Sequence, residues 1–75
     1  MMTRRERGIA IITALAAQGV TDDRLTTHVR LAQENGLDRD AQTALMILLA
    51  GYLGYARASP AMETVNKLDS PPREA

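Results

Sequence analysis

The chain of 75 residues holds one histidine and no cysteine. Proton transfer near neutral pH therefore falls to His28, histidine being the side-chain type that exchanges protons in that range without help. His28 lies in the run Arg24-Leu-Thr-Thr-His28-Val-Arg-Leu-Ala-Gln-Glu-Asn-Gly36, three residues after Leu25 and three before Leu31. At helical spacing it flanks an apolar stripe instead of facing bulk water. Two roles fit that place: a general acid/base at the edge of an apolar pocket, or a histidine packed at a helix interface with one hydrogen bond satisfied. Tyr52 and Tyr55, three apart, offer hydroxyls that line a pocket or donate to a substrate oxygen; the alternative is rings packed on the bundle with their tips in water. Arg24, Arg30 or Arg57 supplies the planar fork that holds a carboxylate. The carboxylates sit in caps, first turns or the tail, and none lies inside the apolar stretch from Ala44 to Tyr55. A paired-carboxylate mechanism has no support, nor has a serine nucleophile elbow. Gly51-Tyr-Leu-Gly54 lacks the lysine and spacing of a phosphate loop. One histidine without thiolates does not close a four-ligand zinc site, so no metal is expected.

The elements that must position these groups read as four helices. The first spans Thr3 to Gln18, with Ile9, Ile12 and Ala16 inward, Ile11 and Leu15 on the adjoining stripe, and Gly19 as its stop. The Arg4-Arg5-Glu6-Arg7 cluster reads as a solvated first turn. The second spans Asp22 to Glu34, with Thr21 as N-cap, Leu25, Val29 and Ala32 inward, Leu31 widening that stripe, and Asn35-Gly36 ending it. The third opens at the N-cap Asp38 and runs to Gly54 or Tyr55. From Ala44 onward it is apolar almost all round, and a helix of that kind is covered on every side. Three other short helices cannot enclose it, so part of it is expected to face another subunit. Gly51 and Gly54 then either allow a close helix approach or, for Gly54, simply end the helix. The fourth opens at Ser59-Pro60, Ser as cap and Pro at the first helical position, with Met62, Val65 and Leu68 on one stripe. Residues 1–69 thus form one helical domain and 70–75 a disordered tail.

Size and charge narrow the field. A chain this short buries only about 60% of the surface it exposes when unfolded and needs reinforcement. Disulfides are excluded, and oligomerisation remains. Nine basic and nine acidic residues cancel, which leaves no broad footprint for nucleic acid. A helix-turn-helix reader is further disfavoured by the apolar helix after Asp38, which has few groups able to reach base edges. No apolar run approaches the roughly 20 residues of a membrane span, and no secretory signal is evident. A cytoplasmic protein is expected, without nucleic-acid or membrane partners.

Read in order, these segments resemble the carboxymuconolactone decarboxylase family. Arg5-Glu-Arg-Gly-Ile-Ala-Ile-Ile-Thr-Ala-Leu-Ala-Ala-Gln-Gly19 is similar to the stretch that opens the family's shared domain. Leu25-Thr-Thr-His28-Val-Arg-Leu-Ala-Gln-Glu-Asn-Gly36 resembles its next helix, where Leu-x-x-His-x-x-x-Ala-x-x-Asn-Gly recurs. Asp38-Arg-Asp opens a helix as the family's Thr-Arg-Glu-Glu does, and Ala50-Gly-Tyr52-Leu-Gly54-Tyr is similar to its Ala-x-Tyr-x-Gly-x-Pro. The likeness covers about residues 4 to 66.

The resemblance implies an all-α fold, a small helical bundle of the alkylhydroperoxidase D-like type. It also implies homo-oligomers, often trimers or hexamers, with pockets near subunit contacts. It implies chemistry without a cofactor, since the thiol peroxidase branch needs a Cys-x-x-Cys pair that is missing here. His28 matches the family's first histidine. There are departures: Ala44 stands near the usual glutamate, Leu49 where a histidine is common, and Ala56 in place of the proline. The longer members' N-terminal helical segment has no counterpart in the sequence.

Two readings follow. One is a cofactor-free decarboxylase acting on a carboxylated lactone or related small organic acid. In it His28 moves the proton and Tyr52, Tyr55, Arg24 and Arg30 bind substrate. The other is a non-catalytic oligomeric accessory or assembly module, or part of a split enzyme completed by a second chain.

Overall fold

The computed structural model describes residues 1–69, so the tail read at 70–75 lies outside the described residues. The described chain folds into four helices: α1 (Arg4–Ala17), α2 (Asp23–Glu34), α3 (Arg39–Leu53) and α4 (Tyr55–Asp69), with no strand among the described residues. The all-helical bundle expected from periodicity is present.

Local chemistry fixes the helix ends. Thr3 caps α1 in a reciprocal box: its Oγ1 accepts from the Glu6 amide at 3.0 Å, and its own amide donates to Glu6 Oε1 at 2.8 Å. At the other end Gly19 turns the chain at φ +74°, while the Val20 amide donates to the Leu15 carbonyl and the Gly19 amide to that of Ala16. The same pair of bonds closes α2: Leu37 donates to Ala32 and Gly36, at φ +96°, donates to Gln33. Asp38 caps α3 by accepting from the Ala41 amide at 3.0 Å.

Two ends differ from expectation. Asp22, not Thr21, caps α2: its Oδ1 accepts from the Arg24 amide at 2.9 Å. Its carboxylate also receives the Arg24 guanidinium, Nε on Oδ1 at 3.2 Å and Nη2 on Oδ2 at 3.0 Å. That fork gives Asp22 an advantage no threonine hydroxyl has. The fourth helix begins at Tyr55, four residues before Ser59-Pro60. Gly54 alone joins α3 to α4, and its carbonyl already accepts from the Arg57 and Ala58 amides. Pro60 is therefore interior to the helix. The amide it lacks would have served the carbonyl of Ala56, an exposed residue.

The helices pair as two hairpins, α1 with α2 and α3 with α4, joined mainly through α2 against α4. Between them lies a core of Ile12, Ala16, Leu25, Val29, Ala32, Leu37, Met46, Leu49, Ala61 and Val65. Leu25, Val29 and Ala32 form the inward stripe expected of α2. Leu31 does not widen it, being 46% exposed. In α3 only Gln42, Met46 and Leu49 are buried. Its far side leaves Ile47 65%, Leu48 57% and Tyr52 81% exposed, and a Cβ on Gly51 would meet nothing within 4 Å. One copy of the chain does not enclose this helix. Of the two roles open to Gly54, the helix end is the one seen, at φ +89° and ψ 153°. No helix among the described residues is long and apolar enough to cross a membrane.

Candidate active-site cleft

His28 lines a cleft of about 390 Å³ between α1 and α2. One wall is Arg4, Arg7, Gly8 and Ile11, which share a face of α1 at intervals of three, four and seven residues. The other is His28, Leu31, Glu34 and Asn35, likewise along one face of α2. Gly8 sets the depth. A Cβ there would sit 3.1 Å from the Ala32 Cβ, closer than two carbons pack comfortably. Glycine lets the helices touch at that level, and the longer side chains around it rise as walls. Ile11 and Leu31 give the cleft an apolar lining; the arginines, Glu34, Asn35 and the imidazole give it polar groups.

The imidazole is half-buried and has no hydrogen bond or ion pair among the described residues. The same holds for the guanidiniums of Arg4 and Arg7 and the carboxylate of Glu34. His28, Arg4, Arg7 and Glu34, four of the polar residues that border the concavity, thus keep their side-chain bonding capacity unspent among the described residues. No group of three His, Cys, Asp or Glu side chains comes together as a metal would need, among the described residues.

The other residues nominated from the sequence lie elsewhere. Arg24 is held by Asp22 at the start of α2; its fork keeps the Asp22 carboxyl below the usual carboxylate range, and Asp22 in turn raises the guanidinium. Arg30 is exposed, two residues from His28 and so on another side of α2. Arg57 donates to the Ala17 carbonyl. Tyr52 and Tyr55 are 81% and 77% exposed. Tyr55 borders a separate, apolar cleft of about 190 Å³ between α3 and α4, with Met46, Ile47, Ala50, Ala58, Ser59 and Met62; Tyr52 borders neither cleft. Of the nominated residues the structure places His28 alone in the first cleft.

Arg4, Arg7 and Glu34 are the polar residues that sequence reasoning passed over. A signal existed. Arg4, Arg7, Gly8 and Ile11 repeat at helical intervals, and a glycine on such a face marks a close approach. On sequence the Arg4-Arg5-Glu6-Arg7 cluster reads as a solvated first turn, and only its pairing with the end of α2 gives it a cavity to face. Compared with protein-family models, with curated proteins and with solved structures, the chain matches none.

Proposed function

We propose that the chain is a small cofactor-free acid–base enzyme acting on a carboxylated lactone or related organic acid, with His28 as the proton-transfer residue. The observation that carries this reading is the setting of His28: a half-buried imidazole, unbonded, in a cleft bordered by two guanidiniums and a carboxylate. The likeness of residues 4–66 to carboxymuconolactone decarboxylases supports the choice of reaction, and the helical bundle agrees with it.

The chemistry balances without an added redox partner. The bond from carbon to the departing carboxylate breaks, its electron pair moves into the conjugated lactone carbonyl, and CO2 leaves. His28 then relays a proton from water to the carbon of the conjugated system at which the electron pair is quenched. A positioned acid/base contributes about 10²–10⁴-fold in rate. Carried out in D2O, the reaction is expected to leave one solvent deuterium on the carbon of the conjugated system that is protonated after CO2 departs, read by mass spectrometry. Product without it contradicts proton delivery at that carbon.

One observation favours a second reading, a homo-oligomeric assembly module. The apolar outer face of α3 at Ile47, Leu48 and Tyr52 is uncovered in one copy. An oligomer built on that face is a trimer or hexamer by the family likeness. Oligomerisation without turnover on any carboxylated lactone favours the module.

A further inference from the structure

We infer that Arg4 and Arg7 form the anion-binding subsite of the α1–α2 cleft, and that the ligand it fits is a small organic monocarboxylate with an apolar body. The subsite rests on the reading of this cleft as the working site and adds to it the residues that grip the ligand. Arg4 and Arg7 lie one turn apart on the face of α1 that forms the cleft wall, so two planar forks stand over one opening. Each fork matches a carboxylate with two parallel bonds. Neither is spent within the described chain, whereas Arg24 is tied to Asp22 and Arg57 to the Ala17 carbonyl.

The opposite wall narrows the class of anion. Glu34 borders the same cleft, so the arginines and the glutamate set two positive charges against one negative. That balance suits a single negative charge and opposes a phosphate dianion. Ile11 and Leu31 line the same cleft and offer their surface to hydrocarbon, which a bare inorganic ion does not use. A carboxylate gripped at the guanidiniums lays its body along these two side chains toward His28.

The test is an NMR titration of the full chain with benzoate, acetate and inorganic phosphate, followed at the His28 ring and the Leu31 methyls. Benzoate is expected to shift both signals saturably, more tightly than acetate and much more tightly than phosphate. The double substitution Arg4→Gln, Arg7→Gln is expected to weaken benzoate by about ten- to a hundredfold, the range of charge-assisted bonds to a bound ion. Both side chains are exposed, and unchanged helicity by circular dichroism certifies the fold. Arg5→Gln, which removes a neighbouring charge outside the cleft, is expected to leave the affinity unchanged. No saturable shift, equal affinity in the double variant, an equal loss in Arg5→Gln, or phosphate binding as tightly as benzoate each overturns the inference. Arginine-dependent binding without CO2 release removes the acid–base reading alone. CO2 release that survives loss of both arginines removes the subsite alone.

Discussion

Gln42 is buried to 0% exposure, and its amide nitrogen is spent on the backbone: Nε2 donates to the Leu37 carbonyl at 3.0 Å and to the Val29 carbonyl at 3.1 Å, while Oε1 is buried without a partner. One side chain thereby ties the start of α3 to α2 and to the turn between them, the same α2 that carries His28. Its identity is restricted by hydrogen count, since two carbonyls need a donor. Gln42→Glu aims a carboxylate at both oxygens, and a buried charge without a partner costs about 3–5 kcal/mol. Urea unfolding at pH 7 is expected to show most of the stability gone, with part returning near pH 4 as the carboxyl gains a proton. An equal loss at both values contradicts the donor role. At the cleft, Arg4 and Arg7 were visible in the sequence as charges but not as wall residues. The intervals within α1 are written in the chain; the partner face is set by the antiparallel return of α2, which no local pattern encodes.

At the scale of elements, most helix ends were legible because they rest on local bonds. Gly19, Gly36 and Asp38 each act within a few residues of their own position. The two misread starts show where that logic stops. Asp22 displaced Thr21 through a side-chain fork from Arg24, and α4 began before Pro60 because Gly54 already redirects the chain. Gly54 holds φ +89° and ψ 153°, a region essentially closed to residues with a Cβ. Gly54→Ala is expected to cost about 1–3 kcal/mol, read from the midpoint of urea denaturation; an unchanged midpoint contradicts strain at the joint. The Asp22 fork makes a pH prediction. Its folded carboxyl is lowered by the Arg24 hydrogen bond. The stabilisation it gives is therefore full above the ordinary carboxylate range and is lost as pH falls through the folded value. Asp22→Asn keeps a cap but removes the charge, so wild type should melt higher at pH 6 and the gap should narrow as pH falls below the ordinary carboxylate range. Both groups are exposed, so the gap is small. A gap that widens in acid contradicts the assignment.

For the whole molecule, the core is short and the outer face of α3 is bare. The apolar excess of that helix was readable from composition, and the structure shows which side is left over: Ile47 and Leu48, with Tyr52 beside them. Because these side chains are exposed, Ile47→Asp with Leu48→Asp should spare the fold and prevent association. Sedimentation at micromolar concentration is expected to show an oligomer for wild type and a folded monomer for the double variant. A wild-type monomer contradicts the idea that sister copies cover α3.

The cleft between α1 and α2 joins these scales, since Gly8 brings the helices together, the arginines and Glu34 wall the opening, and His28 supplies the one imidazole. Its function is tested most directly by the initial rate of CO2 release from a panel of carboxylated lactones, with wild type and His28→Gln matched for helicity. Wild type is expected to turn over at least one of them, with the rate falling by about 10²–10⁴-fold in His28→Gln. A variant as fast as wild type, or a wild type that releases no CO2 from any of the panel, contradicts the account.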